Sequence, residues 1–326
     1  MINTETKYAG LTLKNPLIIG SSGLTNNAKR NKEFEKAGAA AIVLKSLFEE
    51  QIEMQGDALL KQSTGFPEAT DYVRNYVKAN QVEHYLSLIK ETKSLCSIPV
   101  IASINCYKSD AWVEFARQMQ DAGADALELN VFYLCNELDF SFDEIINLYT
   151  SVIQNVKAHV SIPIIIKIGK YFSNIPALVN MLKFNGANGV VLFNRYYQPD
   201  ININSMQLVS GQVFSSHSDL SDTLRWTAFV SGMVPDISIA SSSGIHDWED
   251  VIKCIVAGAS AVQICSAAYT HGPDIFSQML TCIEEWMHQA KYESLEEIKG
   301  RLSFSNAENA SFYERSQFMK YFSDRD

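Results

Sequence analysis

The stretch ISIASSSGIHDWEDVIKCIVAGASAVQICSAAY, running from Ile237 to Tyr269, decides how the chain folds. Ile237–Ala240 is a short apolar run of the kind that forms a buried strand. Ser241–Gly244 follows with four small residues, whose backbone N–H groups can approach an anion closely. Asp247 is placed to cap a helix, and Trp248, Val251, Ile252, Ile255 and Val256 recur at helical spacing. After Ala257-Gly258-Ala259 comes a second buried-type strand, Ala261–Ile264, ending in the small-residue turn Cys265-Ser266-Ala267. Two tight turns after two successive parallel strands are how the last quarter of a (β/α)8 barrel builds a phosphate site. An ordinary βαβ unit without ligand reads the same way from these residues alone.

The phrase at the centre of this stretch recurs along the chain, as Ala37-Gly38-Ala39, Ala122-Gly123-Ala124 and Asn185-Gly186-Ala187. Each Gly suits a helix C-cap, and the apolar run after it suits a buried parallel strand. Eight such strands are expected: Leu17–Gly20, Ala41–Lys45, Pro99–Ile104, Ala126–Val131, Pro163–Ile168, Gly189–Phe193, Ile237–Ala240 and Ala261–Ile264. One helical pattern fills most gaps, as in Asp110–Gln120, where Trp112, Val113, Phe115, Ala116 and Met119 share a face. Eight alternations without a break in composition predict one α/β domain over residues 1–326, a (β/α)8 TIM barrel. A doubly wound open sheet is the alternative that periodicity leaves open. Two gaps are too long for one helix, 45–99 and 194–237, and both are expected as long loops over the C-terminal face. The first contains the polar stretch Gln51–Tyr76, and Asp274–Arg301 reads as a covering amphipathic helix followed by a short one from Ser294.

Composition narrows the class of function. The chain has 326 residues, 47% of them hydrophobic, with a net charge of −10. That acidity argues against nucleic acid or an anionic membrane as a partner. No apolar run is long enough to span a bilayer, and the start MINTETKYAG lacks the apolar core of a signal peptide. The six cysteines show no CxxC pairing, which fits reduced thiols in the cytoplasm and no metal site.

In a barrel, residues at the C-terminal ends of strands point into the site. Here they are Ser21-Ser22-Gly23, Lys45-Ser46, Asn105, Asn130, Lys167 and Asn194-Arg195, with the two small-residue turns completing the ring. A Lys is seldom buried unless paired, so Lys167 after Ile164–Ile166 suggests an ammonium facing an anionic or carbonyl-rich ligand. A structural ion pair with Glu128 is the alternative, and a Schiff-base lysine would also sit here. Two lysines, three asparagines and a distal phosphate site favour a planar, carbonyl-bearing cofactor with a phosphate tail, which describes flavin mononucleotide (FMN).

The order of motifs along the chain resembles the dihydroorotate dehydrogenase family, closest to its soluble class 1. The likeness runs through Tyr8-Ala9-Gly10-Leu11, Lys14-Asn15-Pro16, Ser63-Thr64-Gly65-Phe66-Pro67, Glu128-Leu129-Asn130, Ser243-Gly244-Ile245, Gly258-Ala259-Ser260 and Gly272-Pro273-Asp274. The resemblance implies flavin contacts from Ser22, Lys45, Ser46, Asn130 and Lys167. It implies a phosphate cradle from Ser243, Gly244, Cys265 and Ser266, and substrate contacts from Lys45, Gln62, Gly65, Asn130, Asn136 and Asn194. The implied reaction is oxidation of dihydroorotate to orotate in pyrimidine biosynthesis, with Cys135 as the base. Three positions depart from the family pattern. Cys135 lies two residues beyond the usual place, which Tyr133 occupies; Gln62 stands where an Asn is expected; Arg195 replaces a small hydroxyl residue. These departures leave open another substrate, or a flavin-bearing subunit that turns over only with a redox partner. A homodimer is expected.

Overall fold

The computed structural model of the protein describes residues 2–62, 67–105, 109–131 and 141–315. Its centre is a closed barrel of eight parallel strands: β1 (Leu17–Ile19), β2 (Ala41–Val43), β3 (Val100–Asn105), β4 (Ala126–Asn130), β5 (Ile164–Ile168), β6 (Gly189–Leu192), β7 (Ser238–Ser242) and β8 (Ala261–Ile264). Each pairs with the next in order, and β8 pairs with β1 at Ile264↔Ile19 to close the ring. The eight expected strands are all present, which excludes the open doubly wound sheet. Their ends shift slightly: β2 stops at Val43, and β7 runs on to Ser242, so the turn after it is Ser243-Gly244 alone.

Strand alternation divides the buried side chains into two sets. Leu17, Ile19, Ile42, Leu127, Ile164, Ile166 and Val262 face outward into the shell of helices. Ile18, Ala41, Val43, Ile101, Ala126, Ile165, Val191, Ala240 and Ala261 face inward and fill the lower barrel with an apolar layer. An antiparallel hairpin, Thr6–Tyr8 with Leu11–Leu13, plugs the floor; Tyr8 and Ala9 lie against Gly189 at the first residue of β6. Cutting Ile165 to Ala would open a cavity in this layer, at a cost of about 2–5 kcal/mol.

The helices are α1 (Ala28–Lys36), α2 (Glu49–Gln62), α3 (Pro67–Leu95), α4 (Ser109–Asp121), α5 (Phe142–Lys157), α6 (Ile175–Phe184), α7 (Leu220–Met233), α8 (Trp248–Ala257), α9 (Ser266–His271) and α10 (Ile275–Gln289). Asp247 caps α8 by accepting from the Asp250 N–H, and Val251, Ile252 and Ile255 are buried. Gly258 ends that helix with φ +118°, and a Cβ there would sit 1.9 Å from Ser231 Oγ, so only glycine fits. Gly38, Gly123 and Gly186 adopt the same left-handed conformation after their helices.

The two long gaps turn out differently from a pair of loops. The stretch Gln51–Tyr76 is helical on both sides of residues 63–66, which lie outside the described residues, because α2 and α3 occupy most of it. The gap after β6 carries a hairpin, Pro199–Asn202 with Gln207–Ser210, before α7. Among the described residues no helix is long and apolar enough to cross a membrane.

Candidate active site

A cavity of about 290 Å³ opens at the C-terminal ends of β5 to β8 and β1. It forms there because strand alternation carries the inward-facing set upward from apolar to polar residues. Above Ile101, Ala126, Ile165 and Ala261 come Ser103, Glu128, Lys167 and Gln263, two positions further along the same strands. Lys167 and Gln263 line the cavity floor, and Lys167 Nζ donates to Gln263 Oε1 at 2.8 Å. Lys167 also lies 3.6 Å from Glu128 Oε1. The ion pair read as an alternative role for Lys167 is therefore present, together with the ammonium's exposure to the cavity.

The walls come from the strand-end residues. Asn194 lines the cavity, and its Nδ2 donates at 2.9 Å to Oδ1 of the buried Asn130, which joins the ends of β6 and β4 without itself lining the cavity. Ser243 and Gly244 have φ of +78° and +83° and make a tight turn, with Ser243 Oγ donating to Phe193 O. Gly244 is required for packing: a Cβ there would come within 2.2 Å of Leu220 N at the start of α7. Its missing side chain thus makes room for α7 as well as for any ligand. Cys265 and Ser266 lead into α9, whose first N–H groups lack partners within the helix. Burial, with Glu128 adding and Lys167 opposing, raises the Cys265 thiol above its ordinary value, so it stays protonated near neutral pH.

Several lining residues have no counterpart in the sequence reading. Ser215 donates from its backbone and hydroxyl to Ser266 Oγ and contacts His246 Nε2 at 3.1 Å. Tyr196, Tyr197, Phe214 and Tyr269 supply aromatic walls, with Phe214 and Tyr269 ring centroids 5.4 Å apart. Gln263 was legible as the one polar residue in the strand Ala261–Ile264; the tyrosines carry no such signal. Arg195 donates to Asp219 Oδ2, Val213 O and Gln212 O, and so ties the chain after the hairpin to the barrel rim.

Other expected site residues fall elsewhere. Ser21 lines the cavity, whereas Ser22 Oγ accepts from Leu24 N as the cap of a short 3-10 turn. Ser46 Oγ bonds Ser103 Oγ at 2.7 Å and Ser21 Oγ at 3.1 Å. Lys45 lines a separate cavity of about 150 Å³, beside Gln51, Gln81 and His84. Gly65, Tyr133, Cys135 and Asn136 lie outside the described residues, as does the side chain of Gln62.

The donor set of the main cavity fits a flavin with an anionic tail. Two cations, Lys167 and Arg195, line it together with amides, hydroxyls and two tight backbone turns. No carboxylate lines it among the described residues, although the whole chain carries a net −10. A profile of the family described as "Dihydroorotate dehydrogenase" matches residues 3–287. The chain belongs to the dihydroorotate dehydrogenase family. That family is flavin-dependent, and its members are oxidoreductases acting on a CH–CH group.

Among its relatives in the family is the protein named dihydroorotate dehydrogenase B (NAD(+)), catalytic subunit, of Thermoplasma volcanium. The two are 27% identical, over 92% of this chain and 98% of the relative. The putative dihydroorotate dehydrogenase A (fumarate) of Aeropyrum pernix is 27% identical over 90% of this chain and 95% of its own length. NAD-dependent dihydropyrimidine dehydrogenase subunit PreA of Escherichia coli is 23% identical over 95% of this chain and 79% of its own.

Proposed function

We propose that the protein is an FMN-dependent dihydroorotate dehydrogenase, folded as one domain. The observation that carries this reading is the doubly cationic cavity at the barrel rim of a member of this family, lined by no carboxylate among the described residues. FMN, when bound, supplies a ring that takes a hydride from the substrate. In this reading Lys167 would face the bound ring from the cavity floor, its ammonium offsetting the negative charge gained on reduction. The backbone N–H groups of Ser243, Gly244, Cys265 and Ser266 receive the phosphate, as tight turns and helix starts do. The Asn194–Asn130 pair orients the substrate, because each amide keeps donor or acceptor positions after their mutual bond. Cys135 takes the substrate proton at C5. A thiol starts nearer neutrality than the phenol of Tyr133 and needs a smaller shift to act as a base.

Arg195 favours a second reading, in which the same chemistry acts on another dihydropyrimidine. Its guanidinium stands at the end of β6, where the family pattern has a small hydroxyl, and it is held by three acceptors. The name of the Escherichia coli relative points the same way. Anaerobic addition of dihydroorotate to the purified protein tests the first reading by bleaching of the flavin absorbance. Bleaching by dihydrouracil alone would move the assignment to the second, and a preparation holding no flavin would end both.

The protein is further read as a cytoplasmic homodimer that passes electrons to a redox partner. Its relatives named as catalytic subunits support a partner. The hairpin after β6 supports self-association. Ile201 pairs with Leu208 across it, and Ile203 and Met206 continue the same face. These four side chains are 61–81% exposed, and the hairpin's only charge, Asp200, lies on the opposite face. An apolar face of this kind on a marginal two-stranded hairpin asks for a cover. A second copy provides one without bringing like charges together.

A further inference from the structure

Barrel interiors are ordinarily filled by apolar side chains, yet the layer above Ala126, Ile165 and Ala261 holds an acid, a base and an amide. Glu128 is fully buried, Gln263 is 2% exposed and Lys167 is 5% exposed. Gln263 joins the other two: its Oε1 accepts from Lys167 Nζ at 2.8 Å, and its Nε2 donates to Glu128 Oε2 at 2.5 Å. Only this orientation of the amide suits both neighbours, since a reversed one would aim NH2 at an ammonium. Glu128 Oε1 accepts no hydrogen bond and faces Lys167 Nζ at 3.6 Å. Below it the Tyr8 phenol is held well above its ordinary value, first by burial and then by the Glu128 charge. Lys167 and Gln263 reach the cavity, whereas Glu128 is not among the residues that line it.

A carboxylate buried this deeply is costly unless it is paired. We infer that Glu128 and Gln263 are positioning residues that fix the Lys167 ammonium at the cavity floor and partly offset its charge, and so set the reduction potential of the flavin. The inference rests on the reading that Lys167 faces the flavin ring. Its physical content is one of sign. The ring gains negative charge when reduced, so a bare ammonium beside it favours reduction and a carboxylate behind that ammonium opposes it. In a buried site both effects are weakly screened. Removing the anion and removing the cation must therefore move the potential in opposite directions, whereas a group that only fills space would move it in neither.

The test is anaerobic redox titration of the flavin-loaded protein as wild type, Glu128→Gln, Gln263→Glu and Lys167→Ala. Glu128→Gln is expected to raise the ratio of reduced to oxidised flavin at a fixed potential about tenfold, ~30 mV for a two-electron couple. Gln263→Glu, which sets a second carboxylate against the ammonium, lowers that ratio, and Lys167→Ala lowers it too. An unchanged or lowered potential in Glu128→Gln, with Lys167→Ala still shifted, overturns the inference and leaves the placement of Lys167 intact. An unchanged potential in Lys167→Ala overturns that placement instead. Should Glu128→Gln be recovered without flavin, Gln263→Glu decides: a lowered potential supports the inference, and an unchanged or raised one ends it.

Discussion

The two halves of the barrel rim obtain their functional groups in different ways. In the half built by β5 to β8, Lys167, Asn194, Ser243, Gly244, Cys265 and Ser266 all sit on strands or within two residues of their ends, and they border one cavity. In the half built by β2 to β4, Lys45 opens into a different cavity against α2 and α3, and Ser46 is engaged by Ser21 and Ser103. The substrate-side candidates Gly65, Cys135 and Asn136 belong to the connections of that second half. A scaffold-built half suits a cofactor that stays bound, because rigid strand ends hold it without moving. A half built from inserted segments suits a substrate that must enter and leave.

The sharpest way to break this comparison is to strip chemistry from one half while the other keeps its ligand. Cys135→Ala is expected to slow flavin reduction by dihydroorotate ~100-fold or more, the usual scale for losing a general base. Its flavin content should be that of wild type. Stopped-flow reduction of Cys135→Ala beside Tyr133→Phe checks both points. A crippled Tyr133→Phe would reassign the base, and flavin loss in Cys135→Ala would erase the division between halves.

The reciprocal change belongs at Gly244. An alanine there must hold φ +83° and push its Cβ into Leu220 N, which displaces the first turn of α7. Strain and overpacking together predict about 2–4 kcal/mol of destabilisation and a flavin affinity at least ~10-fold weaker. Fluorescence titration of the apo-protein with FMN measures the second quantity. Lys45→Ala is the control from the other half, expected to bind flavin nearly as well as wild type; equal losses in the two variants would place Lys45 in the cofactor site after all.

What could be read in advance follows from how local each signal is. The Gly258 turn, the Asp247 cap and the alternation within Ala261–Ile264 are each decided by a few neighbouring residues, and all are found. The polar stretch Gln51–Tyr76 misled because polar composition suits a helix as well as a loop, and most of this stretch is helical. Ser22 misled for a related reason: a serine before a turn can serve as its cap, and here it does. The join of Lys167 to Glu128 spans 39 positions and that of Lys167 to Gln263 spans 96, so only barrel closure brings the three together. The walls Tyr196, Tyr197 and Phe214 depend on where the hairpin returns, which no local pattern specifies.

That hairpin, between β6 and β7, belongs to the β5–β8 half and offers a smaller effect. Leu208→Glu places a carboxylate in the apolar face shared with Ile201, Ile203 and Met206. The expected result is a monomer by light scattering at micromolar concentration, with flavin content unchanged. A dimer that survives the substitution would move the interface elsewhere, and a monomeric wild type would remove the homodimer itself.

The smallest effect concerns the foot of the β2–β4 half. Glu35 on α1 accepts from Lys32 Nζ, and its Oε1 accepts from both the N–H and the hydroxyl of Ser97, just before β3. Burial works to raise its pKa, but the hydrogen bonds from Lys32 and Ser97 outweigh it and bring the carboxyl from 4.5 to about 2. A depressed carboxylate stabilises the fold fully above its unfolded value, and that contribution drains away as pH falls towards 2. Wild type should therefore melt about 2 °C above Glu35→Gln at pH 6, a shift of the size expected for under 1 kcal/mol in a chain this long. The gap should narrow as pH falls below about 4.5 and close only near pH 2, and amide exchange at Ser97 should quicken over the same interval. A gap independent of pH would mean that Glu35 acts through shape alone, and the foot of this half would then be held by packing instead of charge.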